Sequence, residues 1–205
     1  MNRFSPLKFA NNDQPDQPGV KSLPLIPGPH LYSDTVKGTN KATIISTSIT
    51  REFDMKDFNN KYIGGTAYLH KFHGGKAKNL KQYVPIHMAD EKSDSIIVVG
   101  GGNDLPGKET VLQTANHLME AGLQGKRMGA TRVLISSVLP RENFYHQTKR
   151  HELNKLLRDL CVVHGFIFID NRNIILDTHI LNDGVHLNSS GTKLLEQNLL
   201  SHLNA

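Results

Sequence analysis

The sequence predicts a three-layer α/β sandwich around a five-stranded parallel sheet, on three observations. From Lys41 onward, short apolar runs alternate with longer segments of helical periodicity. The apolar runs are continuous rather than alternating, the pattern of strands covered on both faces. They are followed by glycines or hydroxyl residues, as expected where strands hand over to helices.

Residues 1–40 carry Pro6, Pro15, Pro18, Pro24, Pro27 and Pro29. Proline removes a backbone donor and fixes φ, so this stretch reads as a Pro-rich arm or linker, with Leu23-Pro24-Leu25-Ile26-Pro27 as a segment able to dock in extended form. The domain proper is then 41–205. Its strands are expected at 42–46, at 63–69 (weaker, interrupted by Gly64 and Gly65), at 95–101, at 133–138 and at 166–169. The third is the clearest, with Ile96-Ile97-Val98-Val99 stopped by three glycines. Gly64-Gly65 reads as a bulge or a close backbone approach.

Four helices separate or follow these strands. A helix at 79–88 is expected to be shortened or distorted by Pro85. Val111, Leu112, Ala115, Leu118, Met119 and Gly122 give one apolar stripe over 108–126. Leu153, Leu156, Leu157, Leu160 and Val163 give another, ending near Gly165 as a C-terminal cap. Leu194, Leu195, Asn198, Leu199 and Leu203 mark the last helix, 189–203, capped by Asn188 or Ser189. The alternation suits a flavodoxin-like strand order.

With 205 residues, 38% hydrophobic and 21% charged, the chain can bury one sizeable core and is not disordered throughout. A formal charge of +5 admits an anionic partner such as nucleic acid, but the basic residues are scattered. Lys76, Lys78 and Lys81, like Lys149 and Arg150, read as solvated helix faces. The single cysteine, Cys161, excludes an internal disulfide and reads as a small buried residue. No stretch reaches the roughly 18 apolar residues of a membrane span, and 1–18 has no apolar signal core. The expected location is cytoplasmic.

Ligands of open parallel sheets bind beyond the carboxyl ends of the strands. Four stretches fall there: Ser46-Thr47-Ser48-Ile49-Thr50-Arg51 after the first strand, His70 to Gly75 after the second, Gly100-Gly101-Gly102-Asn103-Asp104 after the third, and Asp183-Gly184-Val185-His186-Leu187-Asn188 before the last helix. One edge thus gathers a hydroxyl, a glycine amide, an Asn amide and an Asp-His pair, the types needed for nucleophilic acyl transfer.

These blocks, in this order, resemble the SGNH, or GDSL-type, hydrolase superfamily: Ser48, Gly74, Gly101-Gly102-Asn103-Asp104 and Asp183-Gly184-Val185-His186 stand where that family carries its motifs. The runs Val138-Leu139-Pro140-Arg141 and Phe168-Ile169-Asp170 are also similar to SGNH-like esterase domains of invertebrate retroelement-like reading frames, a hint that the domain belongs to a larger product. The resemblance implies a serine esterase or deacylase without metal or cofactor, acting on a small-molecule or lipid or carbohydrate ester. It implies Ser48 as nucleophile, His186 as base and Asp183 as its orienter, with the backbone amides of Ser48 and Gly74 and the side chain of Asn103 as the oxyanion hole. One departure stands out: Ser46-Thr47 replaces the family's usual Gly-Asp before the nucleophile. An Asp carboxylate accepts turn amides better than a β-branched Thr hydroxyl.

That departure carries the alternative expectation, a catalytically weakened binding or assembly module of the same fold for nucleic acid, an acylated ligand or a protein partner. Singly, each motif also has a plain structural use: Ser48 as a helix cap, Gly101-Gly102-Asn103-Asp104 and Asp183-Gly184 as turns. Ser46 should lie within the strand and is not the nucleophile. Arg51 reads as a solvated residue rather than an anion ligand. His70 and His73, with Asp54, Asp57 or His87, are the weaker alternative of a metal site.

Overall fold

A computed structural model describes residues 38–205; residues 1–37, with most of the Pro-rich segment and its Leu23-to-Pro27 strap, lie outside the described residues. Five strands, β1 (Asn40–Thr47), β2 (Gly65–Phe72), β3 (Ser95–Val99), β4 (Arg132–Ser136) and β5 (Ile167–Ile169), form one parallel sheet in the order β2-β1-β3-β4-β5. That is the flavodoxin-like order expected from the alternation of elements. Six helices connect or follow them: α1 (Met55–Lys61), α2 (Ala77–Glu91), α3 (Val111–Arg127), α4 (Phe144–His164), the short α5 (Leu176–His179) and α6 (Ser189–Leu203).

The continuous apolar runs work as two-faced strands. Ile45, Ile96, Val98, Val133 and Ile135 pack against α2, α3 and α4, whereas Ala42, Ile44, Ile97, Val99, Leu134 and Ile169 pack against α1 and α6. Successive residues of a strand point to opposite faces, so each run feeds two cores at once. The strands are also level at their carboxyl ends: Thr47 pairs with Phe72, and Ser46 with Val99. The loops that follow β1, β2 and β3 therefore open on one edge.

Several expectations need correction. The second strand begins two residues later and runs to Phe72, leaving Ile63 61% exposed. Residues 63 and 64 instead offer their carbonyls to Gly38 and Asn40, and a Cβ at Gly65 would lie 1.7 Å from the Asn40 oxygen. The Gly64-Gly65 pair is thus a close backbone approach. Pro85 neither shortens nor ends α2, which runs 15 residues, because Ala77, Leu80, Val84 and Met88 are all buried on one face and packing overrides the lost backbone bond. Leu112 and Val163 leave their apolar stripes and are 56% and 77% exposed. Thr114 and Cys161 take the buried positions on those helices instead. Gly165 caps α4 in the left-handed conformation, and Asn188 caps α6 by accepting from the Gly191 amide.

Four of the five clustered basic residues are engaged by neighbouring groups. Lys76 and Lys78 both face Glu109, and Lys81 pairs with Glu120, joining α2 to α3 and the loop before it. Lys149 reaches into the loop after β3, with its ammonium within hydrogen-bond distance of the carbonyls of Asp104, Leu105, Gly107 and Glu109, at 2.7 to 3.3 Å. Among the described residues no helix is long and apolar enough to cross a membrane.

Candidate active site

Ser48 follows β1 directly and opens a single 3-10 turn, Ser48–Thr50, closed by the Arg51 amide donating to the Ser48 carbonyl at 3.1 Å. Ser46 lies within β1 and is fully buried, so its hydroxyl is not presented. Thr47 stands at the cap position of the turn, but its side chain accepts no capping bond. Placement of Ser48 therefore comes from the strand end and the backbone of the turn rather than from a side chain at 47.

The acid-base loop is held from both sides. Leu181 donates to the His186 carbonyl at 2.7 Å, Ile180 forms an antiparallel bridge with Leu187, and Asn188 ties back to His179 and Thr178. Between these ties Gly184 turns with φ +68°, and a Cβ there would meet Glu142 Oε2 at 2.6 Å. Asp183 Oδ1 accepts the amides of Val185 and His186, each at 2.9 Å, and its Oδ2 lies 2.8 Å from His186 Nδ1. The backbone bond from His186, then that from its side chain, hold the Asp183 carboxyl down at about 2.

An ionised carboxylate can only accept, so the proton of the imidazole sits on Nδ1. In the neutral ring Nε2 then carries the lone pair, and it lies 3.1 Å from Ser48 Oγ. The structure thus brings Ser48, His186 and Asp183 into one chain of hydrogen bonds across 138 residues of sequence.

Gly74 lies two residues beyond β2 at the same edge, with φ +69° and open space where a Cβ would project. Asn103 is in the 3-10 turn after β3, and its Nδ2 donates to the Gly75 carbonyl at 3.0 Å, joining the second and third loops. Its Oδ1 accepts from Arg141 Nη2 at 2.9 Å. Arg141 reaches Asn103 past Gly102, where a Cβ would stand 2.9 Å from the guanidinium. Burial draws the Arg141 guanidinium below its usual range, opposed by the charges of Asp183 and Asp104. Asp104 is buried, accepts the Ala77 amide at the start of α2, and is pushed up by burial.

A partly buried polar frame behind these loops is marked by no motif in the sequence. Asn154 exchanges two bonds with the backbone of Val138, at 2.7 and 2.9 Å, fixing the loop that delivers Arg141. Asn171 bonds Ser136, Ser137 and Asn198, tying the ends of β4 and β5 to α6. A small cleft is lined by Thr47 and Ile49, which flank Ser48 in the chain, by Val185, which precedes His186, and by Gly102, Pro140 and Arg141.

The alternative metal residues are placed otherwise. His70 pairs with Glu91 and stacks on His87 with ring centres 3.6 Å apart. Among the described residues no group of three or more His, Cys, Asp or Glu converges as a metal site. Arg51 pairs with Glu52 at 3.1 Å.

No protein-family model and no curated protein matches the chain in sequence. Solved structures do match in fold. A lipase/acylhydrolase from Enterococcus faecalis superposes with a TM-score of 0.69 at 17% identity, covering 81% of this chain and 96% of that one. A GDSL-like lipase from Bacteroides thetaiotaomicron gives 0.66 at 16%, covering 80% and 87%. A catalytic mutant of an acetylxylan esterase from Geobacillus stearothermophilus gives 0.69 at 13%, covering 83% and 97%. The chain therefore has the α/β fold of GDSL-like hydrolases.

Proposed function

We propose that the chain is a serine esterase or deacylase of SGNH type. The observation that carries this reading is the 3.1 Å approach of His186 Nε2 to Ser48 Oγ, with Asp183 at the other ring nitrogen. A serine hydroxyl is a poor nucleophile until a base removes its proton, and a base works best when its tautomer is fixed. His186 meets both needs. The names of the structural neighbours, lipase, acylhydrolase and acetylxylan esterase, support ester-class chemistry on this fold. The narrower likeness to retroelement-like reading frames carries no part of the proposal.

In the first half-reaction Ser48 Oγ attacks the ester carbonyl carbon while His186 Nε2 takes its proton. The carbonyl π pair moves to oxygen, and the oxyanion is met by the backbone N–H of Ser48 and Gly74 and by Asn103. The Asn103 amide nitrogen carries two hydrogens; one is held by the Gly75 carbonyl, and the other is the donor offered to the oxyanion. As the tetrahedral adduct collapses, the C–O bond to the alcohol breaks and His186 returns the proton to the leaving oxygen. Water then attacks the acyl-serine by the same path, releasing the acid and restoring Ser48.

A fluorophosphonate probe tests this. Wild type should be labelled, and Ser48→Ala should not. An unlabelled wild type, or equal labelling of Ser48→Ala, defeats the reading and leaves the fold as a binding module.

A further inference from the structure

A second depression, about 550 Å³ in volume, lies between α4 and the loop after β5. This size suits a small ligand. Its charged lining is Arg150, His151, Lys155 and Arg158 from α4, with Asp170 and Arg172 across from them. Steps of four along α4 bring Arg150, Asn154 and Arg158, and likewise His151 and Lys155, to this wall. Leaving His151 uncounted, four cations face one carboxylate, an excess of three positive charges.

That single carboxylate is already engaged. Asp170 Oδ2 accepts from Arg158 at 2.7 Å and from Arg172 Nε at 2.8 Å. Arg158 is further fixed over the Phe168 ring at 4.9 Å. Arg150 is in the opposite situation. Its guanidinium meets the His151 ring at 3.1 Å, no carboxylate pairs with it among the described residues, and its Nε is buried without a partner. Lys155, also without a carboxylate partner among the described residues, stands one turn further along. Desolvating a guanidinium is costly unless an anion completes the site. Paired Arg forks suit phosphate oxygens, and three positive charges remain once the one carboxylate is counted.

The groove adjoins the small cleft, because Ser137 and Pro140 line both, and that cleft is lined in turn by Thr47 and Ile49, the chain neighbours of Ser48. We propose that this groove binds a phosphate or diphosphate group carried by the substrate, so that the enzyme hydrolyses esters of phosphate-bearing molecules. This rests on the esterase reading for the reaction, but not for the anion site. Ile175, exposed at the groove, offers an apolar contact to the part of the molecule between phosphate and ester.

The test is calorimetric titration of pyrophosphate into the full chain at low salt, with Arg150→Gln/Lys155→Gln, Lys155→Gln and Ser48→Ala in parallel. Saturable binding is expected that weakens as salt is raised, is retained in Ser48→Ala, and falls at least tenfold in the double variant. Lys155 is exposed, so a smaller loss in the Lys155→Gln chain, with unchanged melting, separates lost charge from lost folding. The double variant should keep fluorophosphonate labelling and its rate on p-nitrophenyl acetate, while KM for acetylglycerol phosphate rises at least tenfold. Absence of pyrophosphate binding in wild type, or equal affinity in the double variant, overturns the proposal. If binding behaves as expected but wild type is not labelled by fluorophosphonate, the esterase reading and the substrate assignment fall and the anion site stands.

Discussion

Arg141 Nη2 donates to Asn103 Oδ1 at 2.9 Å, and Asn103 Nδ2 donates in turn to the Gly75 carbonyl at 3.0 Å. The two bonds fix which end of the Asn103 amide is nitrogen, since a guanidinium can only donate and a carbonyl can only accept. Arg141 is therefore a positioning residue for the donor that the proposed mechanism uses. Asn103→Ala should lower kcat on p-nitrophenyl acetate by about 10²- to 10³-fold, the usual cost of one oxyanion donor. Arg141→Ala should lower kcat by about tenfold, part of that effect, with little change in KM, because the donor remains but is no longer held. Wild-type kcat in Arg141→Ala would remove Arg141 from this role.

Gly184 shapes the turn that carries Asp183 and His186. A side chain there faces a left-handed backbone, costing roughly 1–2 kcal/mol, and also collides with Glu142. At Gly74, with nearly the same φ, a Cβ meets nothing within 4 Å. Gly184→Ala should thus lose more stability in urea than Gly74→Ala, and it should also lose esterase activity by moving His186. Equal urea midpoints for the two variants would show that Glu142 yields freely.

These features differ in how far the sequence displays them. The Ile96-to-Val99 strand, the Asn188 cap and the Asp183-to-His186 turn are written in contiguous residues, where period, cap chemistry and spacing are local. Asn103 is named by its motif, but its partner is 38 residues away, and nothing local marks Arg141 as reaching it. Lys149 and Arg150 look alike in sequence as adjacent basic residues of one helix. One helical step of rotation sends the first into four backbone carbonyls and the second to the anion groove. Val163 likewise fits the period of its stripe, yet Cys161 takes the buried place because the neighbouring elements decide which part of a face is covered.

Lys149→Met keeps the aliphatic stem and removes the ammonium that binds the loop after β3. Hydrogen bonds to a charged group contribute about 1.5–3 kcal/mol, and the upper part of that range is expected because the carbonyls of several loop residues share this donor. Urea unfolding should show the loss, and hydrogen exchange should show faster opening of residues 104–109. Unchanged protection there would mean that water replaces the ammonium without cost.

Cys161 is 1% exposed, and burial pushes its thiol up to about 12. Only the thiolate reacts, so a thiol reagent at about pH 8 should leave the native chain largely unmodified and label it stoichiometrically in denaturant. Rapid labelling of the folded protein would show that the end of α4 opens readily.

The Asp183 carboxyl is lowered from 3.8 to about 2 by the bonds from His186 and Val185. A depressed carboxylate stabilises the fold above its unfolded value, and that contribution fades as pH falls toward the folded value. The stability gap between wild type and Asp183→Asn should therefore be full from about pH 5 to 7 and shrink between about pH 4 and 2. It should be small throughout, because the side chain is 46% exposed and solvent screens it. The effect on catalysis should be far larger. An amide at 183 cannot favour the same imidazole tautomer, and kcat should drop by roughly 10³- to 10⁴-fold while the urea midpoint barely moves. Since Asp183 stays ionised to about pH 2, any loss of wild-type activity between about pH 4 and 7 belongs to another group. Paired rate and urea measurements on wild type and Asp183→Asn check both halves, and a kcat within tenfold of wild type would show that Asp183 does not orient the base.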